Sequence, residues 1–360
     1  MGIKSNFSAF MRGQCGDDIF EKVSLKEFAY KRIAIDISLY MHKFKSIKGE
    51  FWMQMFVELV ACIRENNIHC VFIFDGKSPP EKIKEQSSRR KDKSKMKDRL
   101  CRLEEAMVAY HATGKISECI VELYNKKRTK DPPPRRLLSN VQQIDMNWVE
   151  YKIQHIKNQM YEVSAADFVK VRKLFDIMSV PYYTAPLEAE KLCSELAIKG
   201  QVDAVLSEDT DVLAYGCPVF LSKIDISKQT IVKVVHNELL QSLELSSPEF
   251  LDLCIMCGTD YNPNIPRIGS KTSYKYLCQF RNIESLQEAL PTIDTSILNY
   301  TRVREMFTTF EEHVVPDIIP YCGYPDFKEL AVFMRIHNCR TSLYTLKHCF
   351  TSNNDIVFEQ

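Results

Sequence analysis

No stretch of this sequence reaches the roughly 18–20 consecutive apolar residues that a bilayer-spanning helix needs. A transmembrane segment is therefore not expected. The start, Met1-Gly-Ile-Lys-Ser-Asn6, lacks the charged-then-apolar layout of a secretory signal. Asn6 also stands where a myristoylation pattern needs Ser or Thr. These absences point to a soluble, intracellular protein without membrane partners, nuclear if its host cell is eukaryotic. Zinc-type spacing is missing too. Of 13 cysteines only Cys254 and Cys257 stand close together, with no second pair and no histidine at ligand spacing. Inside the apolar stretch Phe250–Cys257 they read as helix-core thiols, and scattered single cysteines fit a reducing compartment. No internal repeat is visible.

Net charge is also nearly absent, at +1, but its distribution is uneven. From Lys77 to Arg102 eleven Lys or Arg face four acids, and Lys126–Arg136 holds six basic residues against one acid. A basic run alone is more often a solvated helix face. Lying between acidic motifs, these runs become candidate phosphate-binding elements.

Three apolar runs end in carboxylates: Lys31-Arg-Ile-Ala-Ile-Asp36, Cys70-Val-Phe-Ile-Phe-Asp75 and Asp203-Ala-Val-Leu-Ser-Glu-Asp-Thr-Asp211. Continuous apolar runs of that length suit parallel strands covered on both faces. Helical patterns such as 51–66 and 188–199 lie between them. The expected fold is α/β, a mainly parallel central sheet flanked by helices. Its parts are an N-terminal region 1–80, a charged helical insertion 81–163, an internal region 164–235 of the same core, and helices from 236 to 360. In such sheets ligands bind beyond the carboxyl ends of the strands, where all three motifs end.

Seven acids form the candidate site: Asp36, Asp75, Glu188, Glu190, Asp209, Asp211 and Asp260. Gathered without cations, each close pair would repel by about 4 kcal/mol at an effective dielectric near 20. Any one of them alone is more often a surface or capping residue. As a set they call for protons or for metal, and hard oxygen donors favour Mg²⁺ or Mn²⁺. Two such ions could clamp a phosphodiester, one activating water and one stabilising the leaving oxygen. None of the eight histidines lies in these motifs, so no histidine base is indicated. Glu208 is left out because neighbours on an extended segment face opposite ways.

In order and spacing, these pieces resemble the flap endonuclease/XPG family of structure-specific 5′ nucleases. The resemblance rests on Met1-Gly-Ile-Lys4, Asp36-Ile-Ser38, Phe74-Asp-Gly-Lys77, Pro186-Leu-Glu-Ala-Glu190, Ser207-Glu-Asp-Thr-Asp211, Gly258-Thr-Asp-Tyr261 and Ile268-Gly-Ser-Lys271, and extends to Pro325–Leu330. It implies a PIN-like, resolvase-like nuclease fold with a C-terminal helix–two-turn–helix region, and a two-Mg²⁺ centre held by all seven acids. It also implies that Gly2 lies near the site, and that Gly2 and Lys4 contact DNA. A lysine and an arginine at the base of the insertion should steer the scissile phosphate. Lys82 or Lys84, and Arg89 or Arg90, are the candidates. Ile268, Gly269, Ser270 and Lys271 would grip the duplex backbone, with K⁺ held by turn carbonyls, although Pro263 and Pro266 depart from the usual turn. Tyr40 or His42 offers a ring for stacking a base, or packs in the core.

The resemblance implies a branched or 5′-flapped DNA substrate and a flap endonuclease with 5′→3′ exonuclease activity, acting as a monomer. Two departures bear on substrate choice. The segment between Asp36 and Asp75 is shorter than in typical flap endonucleases, and the insertion before Glu188 is longer. No sliding-clamp peptide is recognised in 353–360. The alternatives are a Holliday-junction or bubble-cutting member of the family, a DNA-binding scaffold that has lost catalysis, and a PIN-type ribonuclease, which would lack the segment Gly258–Lys271.

Overall fold

The computed structural model describes residues 2–130, 144–310 and 320–351, the side chains of 126–130 and 351 excepted. The basic cluster Lys126–Arg136 and the C-terminal 353–360 therefore lie outside the described side chains. The chain forms two compact units. One comprises Met1–Met41, Met53–Ile83 and Ser164–Gln360; the other comprises His42–Trp52 and Lys84–Val163.

The first unit is built on a seven-stranded mixed sheet. Its strands are β1 (Glu21–Ser24), β2 (Arg32–Asp36), β3 (His69–Phe74), β4 (Tyr182–Thr184), β5 (Ala204–Leu206), β6 (Val219–Asp225) and β7 (Thr230–Val235). The order across the sheet is β1-β7-β6-β5-β2-β3-β4. The pairs from β6 through β5, β2 and β3 to β4 are parallel, while β7 runs antiparallel to both its neighbours. Each central strand is apolar on both faces because both are covered. On one face the rings of Phe72 and Phe175 stack at 4.2 Å, with Phe56 edge-on to Phe175 at 6.2 Å. On the other, Ala34, Val71, Ile73 and Val205 share a core cluster with Leu192, Cys193 and Leu196 of the helix Ala189–Ile198.

The strand order positions the site. From β2 the chain moves outward to β3 and β4, then returns to the opposite side of β2 with β5 and continues to β6. That reversal makes the β2–β5 junction a topological switch point, where α/β sheets open a crevice at their carboxyl edge. Asp36 ends β2 and Ser207 follows β5 directly.

Helices complete this unit after β7. The helix Ser247–Cys257 opens with a capping box between Ser246 and Glu249 and ends at Gly258, whose φ is +86°. A side chain there would meet the Asn264 backbone nitrogen at 2.7 Å, so the close turn requires glycine. Cys254 and Cys257 are buried in this helix as core thiols. Among the described residues no helix is long and apolar enough to cross a membrane.

The second unit packs the helices Ile83–Thr113, Glu118–Lys130 and Met146–Gln159 around a small core of its own. Leu103, Ile120, Val149 and Ile156 are among its members. The insertion thus folds on apolar residues spaced within a highly charged sequence. It also takes in His42–Trp52, where Lys45 Nζ donates to the Glu162 carbonyl at 2.7 Å. Sequence reading assigned that segment to the N-terminal region.

Candidate active site

The strand-end acids are set by local turn chemistry. Asp36 Oδ1 accepts the amide of Ser38 at 3.1 Å, Ser207 Oγ accepts that of Asp209 at 3.0 Å, and Asp209 Oδ1 accepts that of Asp211 at 2.9 Å. Each short polar side chain thus binds the N–H two residues on, a turn that ends a strand and opens a new direction. The Ser207 hydroxyl donates to Asp36 Oδ2 at 3.0 Å and so ties the two sides of the switch point together. Asp75, just past β3, accepts the Ala189 amide at 2.9 Å and caps the helix on which Glu188 and Glu190 sit. Acids at a helix N-terminus are favoured by its positive end. Gly76 lets this loop close: a side chain there would meet the Ala185 carbonyl at 2.0 Å.

Six of the seven acids are buried: Asp36, Glu188, Glu190, Asp209, Asp211 and Asp260. Asp75 is exposed. Lys82 lies among them, with Nζ 2.5 Å from Glu188, 3.3 Å from Glu190 and 3.3 Å from Asp260. Burial works against its charge, but Glu190, Glu188 and Asp260 outweigh that and hold the ammonium well above its usual range. The neighbouring Lys84 is exposed and belongs to the other unit. Of the two candidate lysines, the fold brings Lys82 to the acids.

Burial drives the acids toward their neutral form. The Asp36 carboxyl is pushed up to about 8, first by burial and then by Asp75 and Asp209. Glu190 and Asp211 are raised well above the carboxylate range, again chiefly by burial. Both Asp211 oxygens are buried without a hydrogen-bond partner among the described residues. An unsatisfied buried carboxylate is costly unless it meets a proton or a cation. No three His, Cys, Asp or Glu side chains among the described residues stand in a ready metal-ligand arrangement. An ammonium occupies their midst instead. Hard oxygen donors, unsatisfied in part and already gathered around one cation, fit a divalent ion that takes over that charge.

Of the other predicted residues, one lies against the acids and the rest lie elsewhere. Gly2, with φ +87°, packs against the acids: a side chain there would lie 1.9 Å from Asp209 Oδ1. Lys4 donates its amide to the Gly258 carbonyl at 2.8 Å. Gly269 starts the helix Ser270–Phe280 with open space beside it, and Lys271 is exposed. The buried Ser270 hydroxyl donates to the Ser5 carbonyl at 2.6 Å, so that side chain braces the N-terminal segment. Arg89 pairs with Glu85 one turn away, Arg90 is exposed, and both lie in the second unit. Tyr40 is 0% exposed, packed in the core with Met41, so its ring has no face free for a base. This corrects the stacking expectation for Tyr40: its helix turns it inward.

Two residues of the matched motifs carry more than sequence spacing suggested. Ser207 is the bridge between Asp36 and Asp209. Tyr261 donates its hydroxyl to Glu188 and shares a hydrogen bond of 2.7 Å with the Tyr215 hydroxyl, fixing the Glu188 carboxylate from behind. The Ser-x-Asp-x-Asp pattern signals the first; nothing in the sequence signals the second. Beside Glu188 opens a cavity of about 600 Å³, lined by Lys77, Lys191, Tyr261 and Arg302 among others.

Comparison with known proteins bears on the family and the fold. The XPG N-terminal domain matches residues 1–97, and the XPG I-region matches 179–260. The chain is 30% identical over 394 residues to a probable RAD2-like endonuclease of Invertebrate iridescent virus 6, covering 98% of this chain and 92% of that one. It is 26% identical over 341 residues to flap endonuclease 1 of Scheffersomyces stipitis, covering 88% and 78%. Its fold is similar to the catalytic core of Rad2 solved in complex with DNA substrate, with a TM-score of 0.62, 17% identity, and coverage of 98% and 99%.

Proposed function

The chain belongs to the XPG family of structure-specific 5′ nucleases, and we propose that within it this protein is a flap endonuclease with 5′→3′ exonuclease activity on DNA. One observation carries the reading: buried carboxylates are gathered at the sheet's switch point around the Lys82 ammonium, with both Asp211 oxygens unsatisfied.

Asp36, Asp75, Glu188, Glu190, Asp209, Asp211 and Asp260 are the residues assigned to two Mg²⁺ ions, with Mn²⁺ able to substitute. When bound, such ions supply Lewis-acid activation of water and neutralise charge developing on the scissile phosphate. Asp211 offers two oxygens that no donor among the described residues claims. Tyr261 holds Glu188 in one orientation through its hydroxyl. Lys82, no longer needed as counter-charge to Glu188, Glu190 and Asp260, is free to turn its ammonium to the phosphate. Gly2 keeps the floor of the site open, while Lys4, the turn at Ile268 and Gly269, the start of the helix at Ser270, and Lys271 grip the duplex backbone. Such contacts position the duplex without reading its sequence. The preference for ends and junctions follows from cost, since unpairing a nucleotide is least expensive where the helix already frays.

The test is cleavage of labelled 5′-flap, nicked, gapped and four-way-junction DNA by the purified protein, with Mg²⁺ and with EDTA. The expected result is Mg²⁺-dependent cutting, fastest on the 5′ flap. No cutting of any substrate would remove the enzymatic reading. Fastest cutting of the four-way junction by a dimer would favour the junction-resolving alternative.

A further inference from the structure

The resemblance to flap endonucleases implies a K⁺ ion held by carbonyls of the turn before the helix Ser270–Phe280. In this chain three of the turn's carbonyl oxygens, those of Pro263, Ile265 and Ile268, already have side-chain donors. Asn264 Nδ2 donates to the carbonyl of Ile265 at 3.0 Å and to that of Ile268 at 3.3 Å. Asn262 Nδ2 donates to the carbonyls of Ile255 at 2.8 Å and Pro263 at 2.9 Å. The Oδ1 of Asn262 accepts from the Thr259 hydroxyl at 2.7 Å. Each primary amide has two N–H donors. Asn264 spends both on backbone oxygens of this turn, while Asn262 spends one on the turn and one on the end of the helix Ser247–Cys257.

A ring of carbonyl oxygens binds a monovalent cation because the oxygens replace its hydration shell. An amide N–H aimed at the same lone pairs satisfies them without a net charge and without an exchangeable ion. It also places one nitrogen, Asn264 Nδ2, as a bridge between the Ile265 and Ile268 oxygens. The prolines fit this arrangement. Pro263 and Pro266 remove two backbone donors from the turn while fixing their own φ, and the asparagine side chains supply donors in their place. The residues present therefore do not fit a K⁺ site. Arg267, at φ +65°, completes a turn shaped by the chain alone.

We infer that Asn264 replaces the cation in this turn, so that the turn is formed, and the duplex is held, without K⁺. The duplex part rests on the proposed function, because it requires that this turn contact DNA.

Two measurements on the full chain test the inference. The first needs no DNA: thermal melting in KCl and in tetramethylammonium chloride at equal ionic strength. Wild type should melt at the same temperature in both salts. Asn264→Ala, which removes the side-chain donor from the Ile265 and Ile268 carbonyls, should melt higher in KCl as the ion binds the folded state. If Asn264→Ala does not fold, Asn264→Asp replaces it and should show the same K⁺ response. The second is fluorescence anisotropy of a 5′-flap duplex in EDTA with the same salts plus NaCl. Wild-type affinities should agree within about twofold, whereas Asn264→Ala should lose about fivefold or more in tetramethylammonium and recover in KCl. A K⁺-specific rise in wild-type melting temperature or affinity overturns the inference. So does a variant that behaves as wild type in every salt. If the wild type binds no duplex in any salt, the proposed duplex contact fails, while the melting measurement still decides the role of Asn264.

Discussion

Replacing Lys82 by methionine keeps the length of the side chain and removes its charge from among Glu188, Glu190 and Asp260, which lie 2.5–3.3 Å from Nζ. At an effective dielectric near 20, each such contact is worth about 5–7 kcal/mol before desolvation is counted. Lys82 is only 12% exposed, so much of that attraction offsets the cost of burying the ammonium. Removing one partner from a buried ion pair typically nets about 3–5 kcal/mol of destabilisation, because the remaining charges are left uncompensated. For a unit of this size that corresponds to a melting temperature lower by about 6–10 °C in EDTA. The opposite is expected once a divalent ion is present. The ion no longer competes with an ammonium for the same carboxylates, so Mn²⁺ should bind about 10- to 100-fold more tightly, about 1.4–2.8 kcal/mol. Differential scanning fluorimetry in EDTA reports the first effect, and titration calorimetry or Mn²⁺ electron paramagnetic resonance reports the second. Unchanged melting together with unchanged Mn²⁺ affinity would refute the idea that Lys82 stands in for the metal charge. Cleavage should fall as well if the same ammonium serves the phosphate.

The buried acids make the metal-free protein sensitive to pH. The Asp36 carboxyl is raised from 3.8 to about 8 in the fold, so the folded state keeps a proton that the unfolded chain releases. Its contribution to stability is fully present below the unfolded value and is lost as pH rises between those two values. Melting in EDTA should therefore fall steadily across that window, and saturating Mg²⁺ should flatten the curve, because metal binding takes the ionised form. Gly2→Ala puts a methyl group 1.9 Å from Asp209 Oδ1 at a φ of +87°. Displacing that carboxylate by about 1 Å should cost about 100-fold in cleavage rate, with little change in melting temperature. Arg304 makes a two-pronged pair with the buried Asp252, at 2.7 and 2.6 Å. Arg304→Met should cost about 3–5 kcal/mol in urea unfolding, and adding Asp252→Leu should recover most of it.

The parts of this fold that were legible in the sequence are those where one physical cause dominates. Apolar strands capped by Asp36 and Asp75 follow directly from burial on both sheet faces, and the acids converge because the strands end at one edge. Cys254 and Cys257 read correctly as core thiols for the same reason. Choices settled by tertiary packing were not legible. Lys82 and Lys84 are two residues apart in one charged run, and only the turn Pro79–Lys82 decides which of them reaches the acids. Tyr40 lies on a helix with apolar and polar residues mixed, so its burial depends on what covers it. The seating of His42–Trp52 with the insertion depends on contacts far along the chain, such as Lys45 with the Glu162 carbonyl. Asn264 carries no motif of its own, and its two carbonyl partners appear only once the turn is folded.

The most direct test of the account is single-turnover cleavage of a 5′-flap duplex in Mg²⁺ by wild type and by Asp209→Asn. The substitution keeps the side chain's size and the acceptor for the Asp211 amide at 2.9 Å, and removes one charge from the acidic cluster. The expected result is a loss of at least about 1,000-fold in cleavage rate with flap affinity in EDTA retained or improved, since an acid that repels phosphate is gone. Cleavage persisting near the wild-type rate would contradict the assignment of the switch-point carboxylates as the metal-binding catalytic centre.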